Sequence, residues 1–177
     1  MSRPFFWLVA LFVAAGPGHA ADESRSLIRV QASVLVKRPP AEVFDFVSDA
    51  ENDRHWRTEV IRINNLTPNA RGIGARTLEV ASVLGKELHT TTEVVEFVPG
   101  QRTGRRTVSS PTPVATLRTV VAGDGGALFT YSLESDVSGE FWFRALRPVI
   151  QWWYQRKVER YMAVLKQVLE GGDNRQR

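Results

Sequence analysis

Between Ile28 and Val36 every second residue is apolar (Ile28, Val30, Ala32, Val34, Val36), with Arg29, Gln31 and Ser33 between them. A period of two is that of a strand with one buried face. Pro39 and Pro40 stop this strand and preset a helical turn, and Val43, Phe44 and Val47 then recur at helical spacing, so a short helix follows. Ser48 with Glu51 three residues later has the form of a capping box, which predicts a second short helix over 49–56. Beyond it the pattern becomes a series of β-like runs over 60–66, 75–83, 86–97, 102–109, 114–122 and 128–137. Turn compositions at 68–74, 84–85, 99–100, 111–113 and 123–126 separate them, so an antiparallel meander with short links is expected. The last run places Phe129, Tyr131, Leu133 and Val137 on one face and Thr130, Ser132, Glu134 and Asp136 on the other.

The tail follows a different rule. From Pro148 to Glu170 the residues Val149, Ile150, Trp153, Tyr154, Tyr161, Val164, Leu165 and Val168 keep helical spacing, and Gly171 with Gly172 closes the run. Such a helix spans about 35 Å, and seven strands make a sheet roughly 34 Å wide, so one helix can lie across the whole sheet. The expected fold is α+β: a curved antiparallel sheet of about seven strands around a long C-terminal helix, with two short helices after the first strand.

The first twenty residues stand apart. Arg3 precedes an apolar run from Phe5 to Ala15, and Gly18 and Ala20 occupy the small-residue positions of a cleavage site. The run would reach only about 16 Å as a helix, against roughly 30 Å of hydrocarbon core, which disfavours a permanent span. Residues 1–20 therefore read as a signal peptide cleaved near Ala20, 21–26 as a linker, 27–171 as one domain and 172–177 as a disordered tail. The chain is expected to be exported, to the periplasm or outside. An uncleaved anchor or a misassigned start codon remains the alternative for these residues.

Composition narrows the chemistry. With no cysteine there is no disulfide framework and no thiolate metal site or nucleophile. The 23 basic and 19 acidic residues leave +4, too thin an excess for committed duplex binding, so no nucleic-acid partner is expected. His55 and His89 are the two histidines beyond the leader and no carboxylate cluster accompanies them at ligand spacing, so no metal is expected.

The order strand, two short helices, six strands and long helix, with the segment VLVKRPPAEVFDFVSDAENDRHW, resembles the START-like helix-grip (SRPBCC) superfamily, most closely its polyketide cyclase/dehydrase-like branch. Gly72 and Gly74 ahead of a strand, the stretch EVVEFVP from Glu93 to Pro99 and the closing helix carry the same likeness. The resemblance implies a hydrophobic cavity for a lipid-like or polycyclic small molecule. It implies no particular reaction and no cofactor, because the superfamily spans carriers, sensors and enzymes.

Candidate residues follow from that expectation. Phe44 and Trp56 could form the mouth of the cavity or ordinary core. Thr90, Thr92, Arg118, Tyr131 and Trp153 are candidate ligand contacts, and Arg118 is the most informative. An arginine amid Leu117, Val120 and Val121 must pair with a ligand carboxylate or an internal acid if buried, or else face outward into solvent. His89 and Glu93 lie four apart on one side of a strand and, with Arg118, could serve acid and base chemistry. Leu88, Thr90, Thr92 and Val94 form an equally good inward face for the same strand. Trp142, Arg144, Arg147, Trp152 and Arg156 belong to an aromatic and basic stretch suited to the headgroups of an anionic membrane, the alternative being a core-facing stripe with a solvated basic back. From Gly139 to Lys166 six basic residues face two acidic ones. The leading expectation is a carrier or sensor of a hydrophobic small molecule. A cyclase or dehydrase acting on a carbonyl-containing substrate and an envelope interaction module without ligand are the alternatives. An apolar cavity of roughly 300 Å³ or more separates binding from scaffolding.

Overall fold

The computed structural model describes residues 27–68, 71–83, 85–110, 113–136 and 141–171, with the side chains of residue 136 and residues 141–145 excepted. The expected leader, linker and tail lie outside these residues. Strand β1 (Leu27–Val36) leads into helix α1 (Pro40–Ser48) and a 3-10 helix (Ala50–His55). Six strands follow: β2 (Val60–Asn65), β3 (Arg76–Val83), β4 (Lys86–Val98), β5 (Arg102–Ser109), β6 (Val114–Gly123) and β7 (Gly126–Asp136). Helix α2 (Phe141–Gly171) closes the chain.

The strands form one antiparallel seven-stranded sheet in the order β1-β7-β6-β5-β4-β3-β2. Strands β2 to β7 make the expected meander, and β1 closes it by pairing with β7 from Leu27 opposite Asp136 to Val36 opposite Ala127. The core lies between α1, the concave sheet face and the C-terminal half of α2. There Val43, Val47, Trp56, Phe129, Val158, Tyr161 and Leu165 are buried.

Three local features differ from the sequence pattern. The second short helix is a 3-10 helix whose cap is Asp49, accepting from the Glu51 amide at 3.0 Å, while Ser48 Oγ donates back to Asp45 O at 3.3 Å. Helix α2 begins seven residues before Pro148, which sits inside it. A proline suits a first helical turn, which made Pro148 look like a start; tertiary contacts carry the helix through it. Val149, expected on the core face, is exposed, and the buried stripe runs instead through Val158, Tyr161, Met162 and Leu165.

Strand β1 is a sheet edge, and α2 covers it chemically as well as sterically. Arg147 Nη2, Gln151 Nε2 and Gln155 Nε2 donate to the carbonyls of Leu27, Arg29 and Gln31 at 3.1, 2.9 and 3.0 Å. Four residues of helix rise about 6 Å and two residues of strand about 6.7 Å, so the two repeats stay in step. Lys166 Nζ adds a bond to Leu35 O at 2.6 Å. These bonds satisfy an edge that would otherwise offer itself to another strand.

Candidate functional site

The interior is built around charge. Arg118 projects from the concave face of β6 and is 2% exposed, and Asp53, carried inward by the 3-10 helix, is equally buried. They form a two-pronged ion pair, Nη1 to Oδ1 at 2.8 Å and Nη2 to Oδ2 at 2.5 Å. Arg118 also donates to the α1 carbonyl of Val47 at 2.6 Å and lies over the rings of Trp56 and Tyr131, 5.2 and 5.7 Å from their centres. Burial would raise the Asp53 carboxyl, but Arg118 and then Arg57 outweigh it and hold Asp53 below the usual carboxylate range. Burial would likewise lower Arg118, and Asp53 more than reverses it.

A second set of charges sits toward β2 and β3. Arg57 grips Glu79 with both terminal nitrogens at 2.7 and 2.8 Å and reaches Asp53 Oδ2 at 3.1 Å. Glu59 accepts from Lys157 Nζ of α2 at 2.9 Å and from the Tyr161 hydroxyl. Against burial, Arg57 and Lys157 keep Glu59 ionised below its ordinary range, whereas burial, reinforced by Glu59, pushes Tyr161 far upward. Burial raises Tyr131 and Tyr154 as well. Arg105 on β5 is 5% exposed and is lowered to about 10 by burial and by Arg118.

Between these charges and α2 lies a cavity of about 170 Å³. One part of its wall is apolar: Ile63, Val83, Leu88, Val114, Leu133 and Tyr154. The other is formed by the ionic network with Thr77, Thr90, Thr92, Thr116 and Tyr131. A neighbouring hollow of about 150 Å³ shares Glu59, Val83, Trp153, Lys157 and Tyr161 with it and reaches Thr58, Ser82 and Arg160. The two meet where α2 faces the end of β3, and this is the mouth. The space is smaller than the roughly 300 Å³ set for a ligand pocket. It is slightly larger than an apolar cavity of about 150 Å³ that takes a benzene. Among the described residues no group of three or more His, Asp or Glu is placed to hold a metal ion.

The predicted residues divide clearly. Thr90, Thr92, Arg118, Tyr131 and Trp153 line the cavity. Phe44 and Trp56 do not; they are core, Phe44 5.7 Å from Phe97 and Trp56 set edge-on to Phe129, Tyr131 and Tyr161. The acid–base pairing of His89 with Glu93 is corrected by strand parity. Leu88, Thr90 and Thr92 face inward, opposite Ala81, Glu79 and Thr77 of β3, so His89 and Glu93 face out. There His89 meets Glu87 at 3.3 Å and Glu93 pairs with Arg76 at 2.7 Å. Arg118, inside, is on the other side of the sheet from both. Of the membrane candidates, Trp152 is 61% exposed and Arg156 lies over its ring at 5.9 Å. Arg147 is tied to Leu27 O, and the side chains of Trp142 and Arg144 lie outside the described residues. Missed from sequence were Asp53, Arg57, Glu59, Glu79, Arg105 and Lys157, since a charged residue in a polar stretch reads as solvated.

A sheet gripping one long helix over an internal hollow, opened by a strand and two short helices, is the expected helix-grip arrangement. The sequence profile described as polyketide cyclase/dehydrase and lipid transport matches residues 28–170. The chain belongs to this family. Its START-like (SRPBCC) fold is a hydrophobic-ligand-binding architecture with polyketide cyclase-like relatives. Among solved structures it is similar to a protein of Thermus thermophilus, at TM-score 0.70 and 18% identity over 81% of this chain and 98% of that one. A START superfamily protein of Mycobacterium smegmatis gives 0.67 and 15% over 81% and 97%. The Zhui aromatase/cyclase of a Streptomyces species gives 0.67 and 13% over 81% and 94%. At these identities the likeness is one of fold. No curated protein sequence matches the chain.

Proposed function

We propose that this family member binds a small hydrophobic molecule in the cavity between sheet and α2 without transforming it. The observation that supports this reading is the apolar wall of Ile63, Val83, Leu88, Val114, Leu133 and Tyr154; the hollow, at about 170 Å³, falls short of the roughly 300 Å³ set for separating binding from scaffolding, which restricts the reading to a small guest. A single ring or short chain fits it, and a longer ligand would extend through the mouth beside Trp153. A ring burying about 200 Å² of apolar surface gains about 5 kcal/mol, reduced by the entropy of association, which corresponds to binding no tighter than the submillimolar range. Binding without catalysis is favoured by the placement of the named acid–base candidates: His89 and Glu93 lie on the outer face of β4, paired with Glu87 and Arg76, while Arg118 inside is engaged by Asp53. Native mass spectrometry of the full chain, with displacement of a lipophilic dye, tests the proposal. A retained small molecule or dye binding supports it, and a protein that is ligand-free and binds no dye overturns it.

We infer in addition that the exposed side of α2 meets an anionic membrane after export. Leu146, Val149 and Trp152 are more than half exposed, and Arg156 and Arg160 flank them beside the mouth. No helix among the described residues is long and apolar enough to cross a membrane, so this contact would be peripheral. Trp152→Ala should weaken sedimentation with phosphatidylglycerol vesicles and leave phosphatidylcholine vesicles unbound as before. Equal binding of both variants to both vesicles argues against membrane contact. Export predicts an extracytoplasmic form shorter by about twenty residues, read by mass.

A further inference from the structure

The charges around the cavity do not cancel. Four cations, Arg57, Arg105, Arg118 and Lys157, face three carboxylates, Asp53, Glu59 and Glu79. Each carboxylate already has a partner: Asp53 holds Arg118 and Arg57, Glu79 holds Arg57, and Glu59 holds Lys157. Arg105 is the cation of this set that forms no ion pair of its own, although Asp53, Asp49 and Glu79 act on it electrostatically from a distance. Its bonds go to neutral oxygens, Nη1 to Thr77 Oγ1 at 3.1 Å and Nη2 to Ser48 O at the long distance of 3.5 Å. Its Nε has no hydrogen-bond partner, which is equally true of Arg57 Nε, Arg118 Nε and Glu59 Oε2 on this wall, and the hydroxyl of Tyr131, a residue with no solvent exposure on the same wall, has none either. A buried guanidinium facing neutral partners and a buried phenol without one are costly unless something completes them.

On the binding reading above, we propose that the cavity is selective for a small amphipathic carboxylate, its carboxylate received by Arg105 with the Tyr131 hydroxyl as second donor and its ring or chain against the apolar wall. A guanidinium donates to a carboxylate through a planar fork, a geometry suited to this head group. The ligand's negative charge balances the one surplus positive charge of the wall, which a neutral guest of the same shape does not do. The apolar residues Leu88, Val114 and Leu133 supply the surface for its body.

The test compares phenylacetate with its neutral isostere phenylacetamide, titrated into the full chain and followed by protein NMR shifts. Phenylacetate should bind about 10- to 100-fold more tightly, the range of a charge-assisted hydrogen bond. Arg105→Gln should remove most of that preference. Tyr131→Phe, which deletes one oxygen and keeps the ring, should cost the carboxylate alone about three- to tenfold, and it guards against a poorly folded Arg105 variant. If both probes bind equally to the wild-type protein, or if the preference survives both substitutions, the carboxylate assignment is wrong while the binding reading stands. If neither probe binds and no dye binds, the binding reading fails and the carboxylate proposal fails with it.

Discussion

Replacing Asp53 with asparagine keeps the shape of the side chain and removes its charge, leaving Arg118 with no carboxylate in the interior. Three hydrogen bonds to ionised groups are affected, two from Arg118 at 2.8 and 2.5 Å and one from Arg57 at 3.1 Å. Such bonds contribute about 1.5–3 kcal/mol each. They do not add, because Arg57 keeps its two-pronged contact with Glu79. The larger part of the loss is the stranded Arg118 charge, and breaking a buried pair from one side costs about 3–5 kcal/mol. A domain of this size has about 5–15 kcal/mol in total. D53N should therefore unfold about 6–20 °C earlier, and its urea midpoint should fall at unchanged m-value. The control is the double variant D53N/R118M, which removes both charges and should be at least as stable as D53N alone. A loss below about 1 kcal/mol for D53N, or a double variant far less stable than D53N, refutes the reasoning that this pair anchors α1 and the 3-10 helix to the sheet.

The same groups set the response to pH. Asp53 and Glu59 are lowered in the fold, so their contribution is present above the unfolded values near pH 4 and is lost as pH falls through and below them. Tyr131 and Tyr161 are raised, so theirs is present below about pH 10 and lost above it; thermal midpoints across pH should fall at both ends, and a flat acid limb would contradict the account of Asp53 and Glu59. Gly126→Ala would set a Cβ 2.1 Å from the Val36 carbonyl oxygen at the closed end of the β6–β7 hairpin. A backbone shift is required there, and a destabilisation of about 1–3 kcal/mol in urea titration is expected, whereas a neutral effect would mean that the hairpin moves freely. Gln151→Ala with Gln155→Ala leaves two edge carbonyls of β1 without these partners, and should cost about 1–2 kcal/mol and increase self-association in sedimentation experiments.

The sheet was legible because its strands alternate cleanly, β1 and β7 above all, and because glycine and proline punctuate the links. Helix α2 was legible in its C-terminal part, where Tyr161 and Leu165 are buried, and obscured at its start by Pro148. The face of β4 was not readable, since both settings of the strand offer a plausible inner set; the register that puts Thr92 opposite Thr77 decides it, with their hydroxyls 3.0 Å apart. Arg118 stood out because apolar neighbours surround it in sequence. Arg105 did not, because it lies in a run with Arg102 and Arg106, where arginine looks like solvated surface. Asp53 was hidden the same way in a polar helix. A buried ion pair between distant elements leaves no local pattern, since each half resembles an ordinary surface charge until topology brings the two together.

Helix α2 is fastened unequally. Along β1 it is stitched by Arg147, Gln151, Gln155 and Lys166, whereas toward β2 its described polar ties, Lys157 and Tyr161, converge on the single carboxylate of Glu59. The far side of the helix thus depends on one side chain: without the Glu59 carboxylate, Lys157 and Tyr161 lose their shared anchor together, while the bonds along the first strand are untouched.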